Sequence, residues 1–172
     1  MPLVHVSLKM RSWSSKALFA SHHTARGLAT RRMQEFKRLC SGHQLVAIQE
    51  THGSAMDEMT LAREVPTHLH ALSVIPDRAA GGVSISIERR FLAMHFTSHY
   101  IKPVVPGRVL LLHVDGPCGS LDIFSIHLDP NMKMDELTFT LNEIKAHFNS
   151  DPPTPSQCSL ATCIATWRAT RG

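Results

Sequence analysis

The order of apolar and polar positions along the chain predicts short strands interleaved with amphipathic helices. Pro2 to Leu8 alternates after Leu3, as a strand with one buried face would. Over 30–39 the residues Met33, Phe36, Leu39 and Cys40 recur at helical spacing, and Gly42 follows in the position of a C-terminal cap. Leu45 to Ile48 is an apolar run too brief for a helix and reads as a buried strand. A short helix is predicted from Met56 to Glu64, stopped by Pro66, and a weakly alternating strand from His68 to Ile75. After a turn at Pro76-Asp77-Arg78 and the pair Gly81-Gly82, Val83 to Glu88 alternates with period two, giving one apolar and one polar face. Phe91 to Ile101 reads as a further strand, and Pro103, Pro106 and Gly107 as a loop. Arg108 to Val114 and Leu121 to Leu128 form a predicted hairpin around Asp115 to Gly119. Leu137, Leu141, Ile144 and Phe148 place a second amphipathic helix over 135–148, expected to cover the same sheet as the first. Asp151-Pro152-Pro153-Thr154-Pro155-Ser156 is a cluster of breakers, and residues 150–172 are expected to be an irregular tail.

Runs such as Leu110-Leu111-Leu112 put apolar side chains on both faces of a strand, which implies a sheet covered on two sides. With 172 residues, 43% of them hydrophobic, the chain suffices for one domain with a sizeable core. No apolar run reaches the length of a membrane span, so no membrane partner is expected. The four cysteines, Cys40, Cys118, Cys158 and Cys163, are scattered at spacings unlike those of zinc sites and read as free thiols of a reducing compartment. A formal charge of +4 permits an anionic partner such as nucleic acid. The twelve histidines are expected mostly at the surface. Lys9, Arg11, Lys16, Arg26, Arg31 and Arg32 all precede the first acidic residue, Glu35, with serines among them, a profile shared by organellar transit peptides.

Candidate chemistry begins where the strand at 45–48 turns polar. Gln49 and Glu50 set an amide and a carboxylate at a sheet rim, where α/β folds place ligands, and a hard cation suits that carboxylate. Glu50 ending the strand, with His52-Gly53 as a plain turn, is the alternative reading of the same residues.

The run Gln49-Glu50-Thr51-His52 resembles the second motif of the endonuclease/exonuclease/phosphatase superfamily, most closely the endonuclease domain that accompanies reverse transcriptases of LINE-type retrotransposons. Ser12-Trp13-Ser14 to Leu18 resembles the family's first active-site segment, with Ser14 where the family carries a metal- and phosphate-binding Asn. Ser125-Ile126-His127 to Pro130 resembles a third element, with Ser125 in place of an Asn and His127 in the position that contacts the scissile phosphate. The Gly-Gly-Val at 81–83 matches the family's Gly-rich entry to a central strand. The resemblance implies an α/β (α+β) fold over residues 1–149: half of a four-layered α/β sandwich, one mixed and mostly antiparallel sheet backed by two or three helices. It also implies Mg²⁺-dependent hydrolysis of a phosphodiester in DNA, with Mn²⁺ as a substitute ion. Glu50 would bind the metal, Glu50 and His127 would be catalytic, and Ser14, His52, His127 and Asn131 would contact substrate.

Nothing in the sequence matches the family's Gly-Asp-x-Asn or Ser-Asp-His motifs. Each lost transition-state group typically costs about two to three orders of magnitude, so a truncated, weakly active or inactive domain is expected. A half sandwich would leave one apolar sheet face uncovered and favour self-association. The competing expectation is a non-catalytic nucleic-acid-binding or assembly fragment that uses the basic N-terminal region. The expected location is nuclear or cytoplasmic, with a mitochondrion or plastid as the alternative if that region is a presequence.

Overall fold

Leu45, Val46, Ala47, Ile48 and Gln49 are all buried, and the remaining layers are stacked on either side of the strand they form. In this computed structural model, which describes residues 8–14, 18–19, 26–54, 56–75, 81–117, 119–129, 131–150 and 163–166, twelve elements follow one another. They are β1 (Met10–Ser14), α1 (Arg26–Gly42), β2 (Leu45–Gln49), α2 (Asp57–Glu64), β3 (His68–Ser73), β4 (Val83–Glu88), α3 (Arg89–His95), β5 (Ser98–Val105), β6 (Val109–Gly116), β7 (Gly119–Ile126), α4 (Met134–Ser150) and β8 (Cys163–Thr166). Two four-stranded sheets result, ordered β1-β2-β4-β3 and β5-β6-β7-β8. In the first, β1 runs parallel to β2 while β4 is antiparallel to both β2 and β3. The second is an antiparallel meander, β5 to β7, extended by β8 parallel to β7.

The faces follow from strand parity. Leu45, Val83, Ile85 and Ile87 of the first sheet meet Leu110, Leu112, Val114 and Ile123 of the second in one core, closed at its end by Phe91 and Leu92 of α3. The opposite face of β2, Val46 and Ile48, packs under Phe36, Leu39 and Cys40 of α1 and Leu61 of α2. Beneath the second sheet, Val109, Leu111, Phe124 and Ile126 pack on Ile144 of α4. Helices, sheet, sheet and helix therefore make an α/β sandwich with all four layers present. Burial of each such aliphatic side chain contributes about 1.5–3 kcal/mol, and the strands apolar on both faces contribute to two layers at once.

The expected α/β sandwich of mixed, mostly antiparallel strands and covering helices is present, and several details within it differ from expectation. The strands divide into two sheets instead of one, and each covers the apolar face of the other, so no uncovered face remains between them among the described residues. The helix α4 covers the second sheet and not the sheet under α1. The strand predicted over 91–101 is helix α3 followed by β5, since Phe91 and His95 meet one helical turn apart with ring centroids 4.8 Å apart. Pro103 lies inside β5, an edge strand, where a register shift between Pro103 and Val105 accommodates it. The polar face of β4 is not solvated, because Ser84 and Ser86 are buried beneath the helical layer. Residues 163–166, expected to be irregular, add a strand. The basic segment contributes β1 to the sheet. The predicted strand at 2–8, except Leu8, the turn at 76–78 and the breaker cluster lie outside the described residues.

Three of the nine histidines among the described residues are buried. His70 donates from Nε2 to the Val65 carbonyl at 2.8 Å, its Nδ1 lies 2.8 Å from the Ser86 hydroxyl, and burial pushes the ring below its ordinary range. His68 lies against the His43 carbonyl and the Thr67 hydroxyl, and the third, His127, belongs to the rim described below. Burial pushes the Cys40 thiol up to about 12, an unreactive group.

Candidate active site

Strand ends bring the candidate residues together. Ser14 closes β1 and pairs with Gln49 at the end of the parallel strand β2, so its hydroxyl reaches past the ladder and donates to Oε2 of Glu50. Gln49 points the same way, its amide exchanging hydrogen bonds with the Ser12 hydroxyl at 3.1 and 3.2 Å. His127 directly follows β7 and shares the inward face of Ser125 and Ile123. Its backbone N–H donates to the Arg108 carbonyl at 2.8 Å.

The loop after β2 is held in an uncommon conformation. Glu50 and His52 both have left-handed backbone, with φ of 55° and 50°. The strand-entry glycines hold it there: Thr51 N–H donates to the Gly82 carbonyl at 3.3 Å and His52 N–H to the Gly81 carbonyl at 2.9 Å. A Cβ on Gly82, itself at φ +90°, would lie 2.3 Å from the Thr51 hydroxyl, so only glycine admits this approach. Gly82 N–H in turn donates to the Gly107 carbonyl at 3.2 Å, which ties the Glu50 loop to the turn carrying Arg108.

Several charged groups act on the His127 ring. Burial, the largest influence, pushes the His127 imidazole below its ordinary range; Glu50 opposes this, Arg108 adds to it, Asp129 opposes it and His52 adds to it. His127 is therefore a neutral ring at pH 7, with one N–H to donate and one nitrogen to accept. Arg108 is buried, paired at 3.3 Å with Glu136 of α4, and its Nε has no partner among the described residues. The buried hydroxyls of Thr51 and Ser125 are likewise unpartnered among the described residues. An orphaned buried polar group typically costs about 1–3 kcal/mol, so three of them beside Glu50 and His127 mark a place built to meet a polar ligand or water.

The donor set suits a hard cation held loosely. Mg²⁺ is commonly bound by one or two carboxylates and completes its shell with water and phosphate oxygens, which Glu50 with the Ser14 hydroxyl beside it allows. Among the described residues no group of three ligating side chains would hold an ion unaided.

The rim thus gathers Ser14, Glu50, His52 and His127. Asn131 is exposed in the following turn, where its backbone N–H donates to Asp129 Oδ1 at 2.8 Å. Arg108, Thr51 and Asp129 escaped the sequence reading. Arg108 looks like any polar residue opening a strand, and only the fold buries it.

This geometry sits on a known fold. The structure is similar to an AP endonuclease from Leishmania major, with TM-score 0.54 and 13% identity over 83% of this chain and 46% of that one. A TDP2 from Caenorhabditis elegans gives TM-score 0.52 and 11% identity over 84% of this chain and 44% of that one. A humanised D. rerio TDP2 gives 0.50 and 18% over 84% and 57%. The chain shares the α/β sandwich fold of those structures and spans about half their length. No protein-family model and no curated protein matches the sequence.

Proposed function

We propose that these residues form the metal- and phosphate-binding part of a Mg²⁺-dependent phosphodiesterase acting on DNA, of the kind found in LINE-type retrotransposons. The observation that carries this reading is that the Glu50 loop is tied through Gly82 to the turn of Gly107 and Arg108, whose carbonyl receives the His127 N–H, so the two side chains reach one rim from different sheets. The fold shared with an AP endonuclease supports DNA as the substrate class.

Glu50 would hold the ion, with Ser14 orienting its carboxylate. The ion, when bound, neutralises charge on the phosphate. His127, kept neutral by burial, would donate its ring N–H to a phosphate oxygen, and His52 lies close enough to act on the same group. The Arg108 guanidinium, fixed by Glu136, adds positive potential beneath them. Residues 1–172 contain neither a Gly-Asp-x-Asn nor a Ser-Asp-His run to orient and deprotonate water, so slow turnover is expected of them.

Mn²⁺ binding followed by electron paramagnetic resonance, together with plasmid nicking in Mg²⁺, tests the proposal. One Mn²⁺ per chain, lost in Glu50→Ala, and slow nicking that falls about 10²-fold in His127→Ala, are expected. Mn²⁺ binding or nicking that survives Glu50→Ala unchanged would overturn it.

A further inference from the structure

Positive charge unconnected with the rim collects on one side of α1. Arg31, Arg32 and Arg38 line a cleft of about 610 Å³ together with Trp13, Gln34 and Glu35. Trp13 enters from β1. Its ladder partner Ile48 belongs to the core under α1, so Trp13 projects to the helical side, half-buried against that core and forming part of the cleft wall. Arg11, beside Val46 in the same ladder, projects to that side too, and its charge acts on the Glu35 carboxylate. Among the described residues Glu35 is the single acid lining the cleft, and Arg38 grips it with two hydrogen bonds of 2.9 and 2.7 Å. The other cation of this helix segment, Lys37, is instead engaged by Glu64 of α2 at 2.5 Å. Three guanidinium groups therefore line the cleft with one carboxylate and one indole, and Arg11 adds a fourth positive charge near that carboxylate.

We propose that this cleft is a second binding site, for single-stranded nucleic acid: Trp13 stacks a base while Arg31, Arg32 and Arg11 meet the phosphates on either side. An indole flanked by cations is the combination that sequence-tolerant single-strand binders use, since every base offers a π-face and every linkage a charge. A folded duplex hides its base faces and would use only the charges. The site needs neither Glu50 nor a metal, so it stands apart from the phosphodiesterase reading.

The experiment is fluorescence anisotropy of a labelled oligo-dT of about ten nucleotides in EDTA, over a range of salt. Binding is expected to persist in Glu50→Ala and Lys37→Gln. It is expected to weaken at least tenfold in the Arg31→Gln/Arg32→Gln double variant, with the slope of log affinity against log salt reduced by about 1.4. In a Trp167→Phe background Trp13 is the sole indole, and its emission should be quenched by oligo-dT more than by a duplex of equal length. Three results would each overturn the proposal: affinity unchanged in the double variant with its fold intact by circular dichroism, an equal loss in Lys37→Gln, or full competition by poly-glutamate, which would mark a site for acidic protein.

Discussion

At the residue scale, the loop carrying Glu50 keeps two side chains in left-handed backbone, a conformation that costs about 1–2 kcal/mol per residue when it is not glycine. Such outliers persist where surrounding structure over-determines them, and here the carbonyls of Gly81 and Gly82 do so. Gly82→Ala should therefore drive a methyl group into the Thr51 hydroxyl, lower stability by about 1–3 kcal/mol in urea unfolding, and weaken Mn²⁺ binding at Glu50. A variant as stable as the parent, with the ion bound as before, would contradict this account of the loop. Gln49 and Glu50 were legible in the sequence because an apolar run ends there in polar residues. Arg108 was not, because its burial depends on Glu136 of a distant helix.

At the element scale, most strands and helices were readable from period alone, and the failures have local causes. Over 91–101 the apolar residues are too few to separate seven residues of helix from strand, so α3 was missed. The helix α4 was found, and Ile144 of its predicted stripe is buried in the core, but the full packed face was not read. Of the other stripe residues Leu141 remains 49% exposed and Phe148 rests on Phe124 with ring centroids 5.4 Å apart, while the packed positions also include Thr140 and His147 beside Ile144. Thr140 satisfies itself on the Glu136 carbonyl at 2.8 Å, and His147 reaches Asp122 of β7 at 3.3 Å, so two polar residues pass as core. Ile144→Ala is expected to cost about 2–5 kcal/mol, and Leu141→Ala to change stability by no more than about 0.5 kcal/mol. Urea midpoints of the two variants in the reverse order would show that α4 packs through Leu141 and not through Ile144.

At the scale of the whole molecule, strand periodicity correctly indicated burial on both faces but could not say what does the covering. Hairpin signals join neighbours, whereas the division into two sheets depends on β4 pairing back to β2 and on β5 starting a new sheet. The resulting sandwich has opposing histidine effects on stability. Burial holds His68, His70 and His127 below the ordinary 6.5, so unfolding takes up protons and stability falls as pH drops below about 6.5. His113 behaves in the opposite sense. Although burial opposes it, hydrogen bonds to Asp122 at 2.6 Å and Asp115 at 3.0 Å raise its pKa. Its contribution is complete below about 6.5 and is lost as pH rises through the raised value. Urea midpoints from about pH 5 to about pH 8 should therefore fall on the acid side in the parent, and His113→Gln should flatten the alkaline side alone. A variant that flattens the acid side would reverse the assignment.

The central claim is that Glu50 and His127, carried by different sheets, face one another across one rim. The most direct test is the titration of the His127 ring by nuclear magnetic resonance in the parent and in Glu50→Gln. The account predicts a midpoint below the ordinary 6.5 in the parent and a further downward shift when the carboxylate charge is removed. A His127 midpoint that does not respond to Glu50→Gln would contradict it.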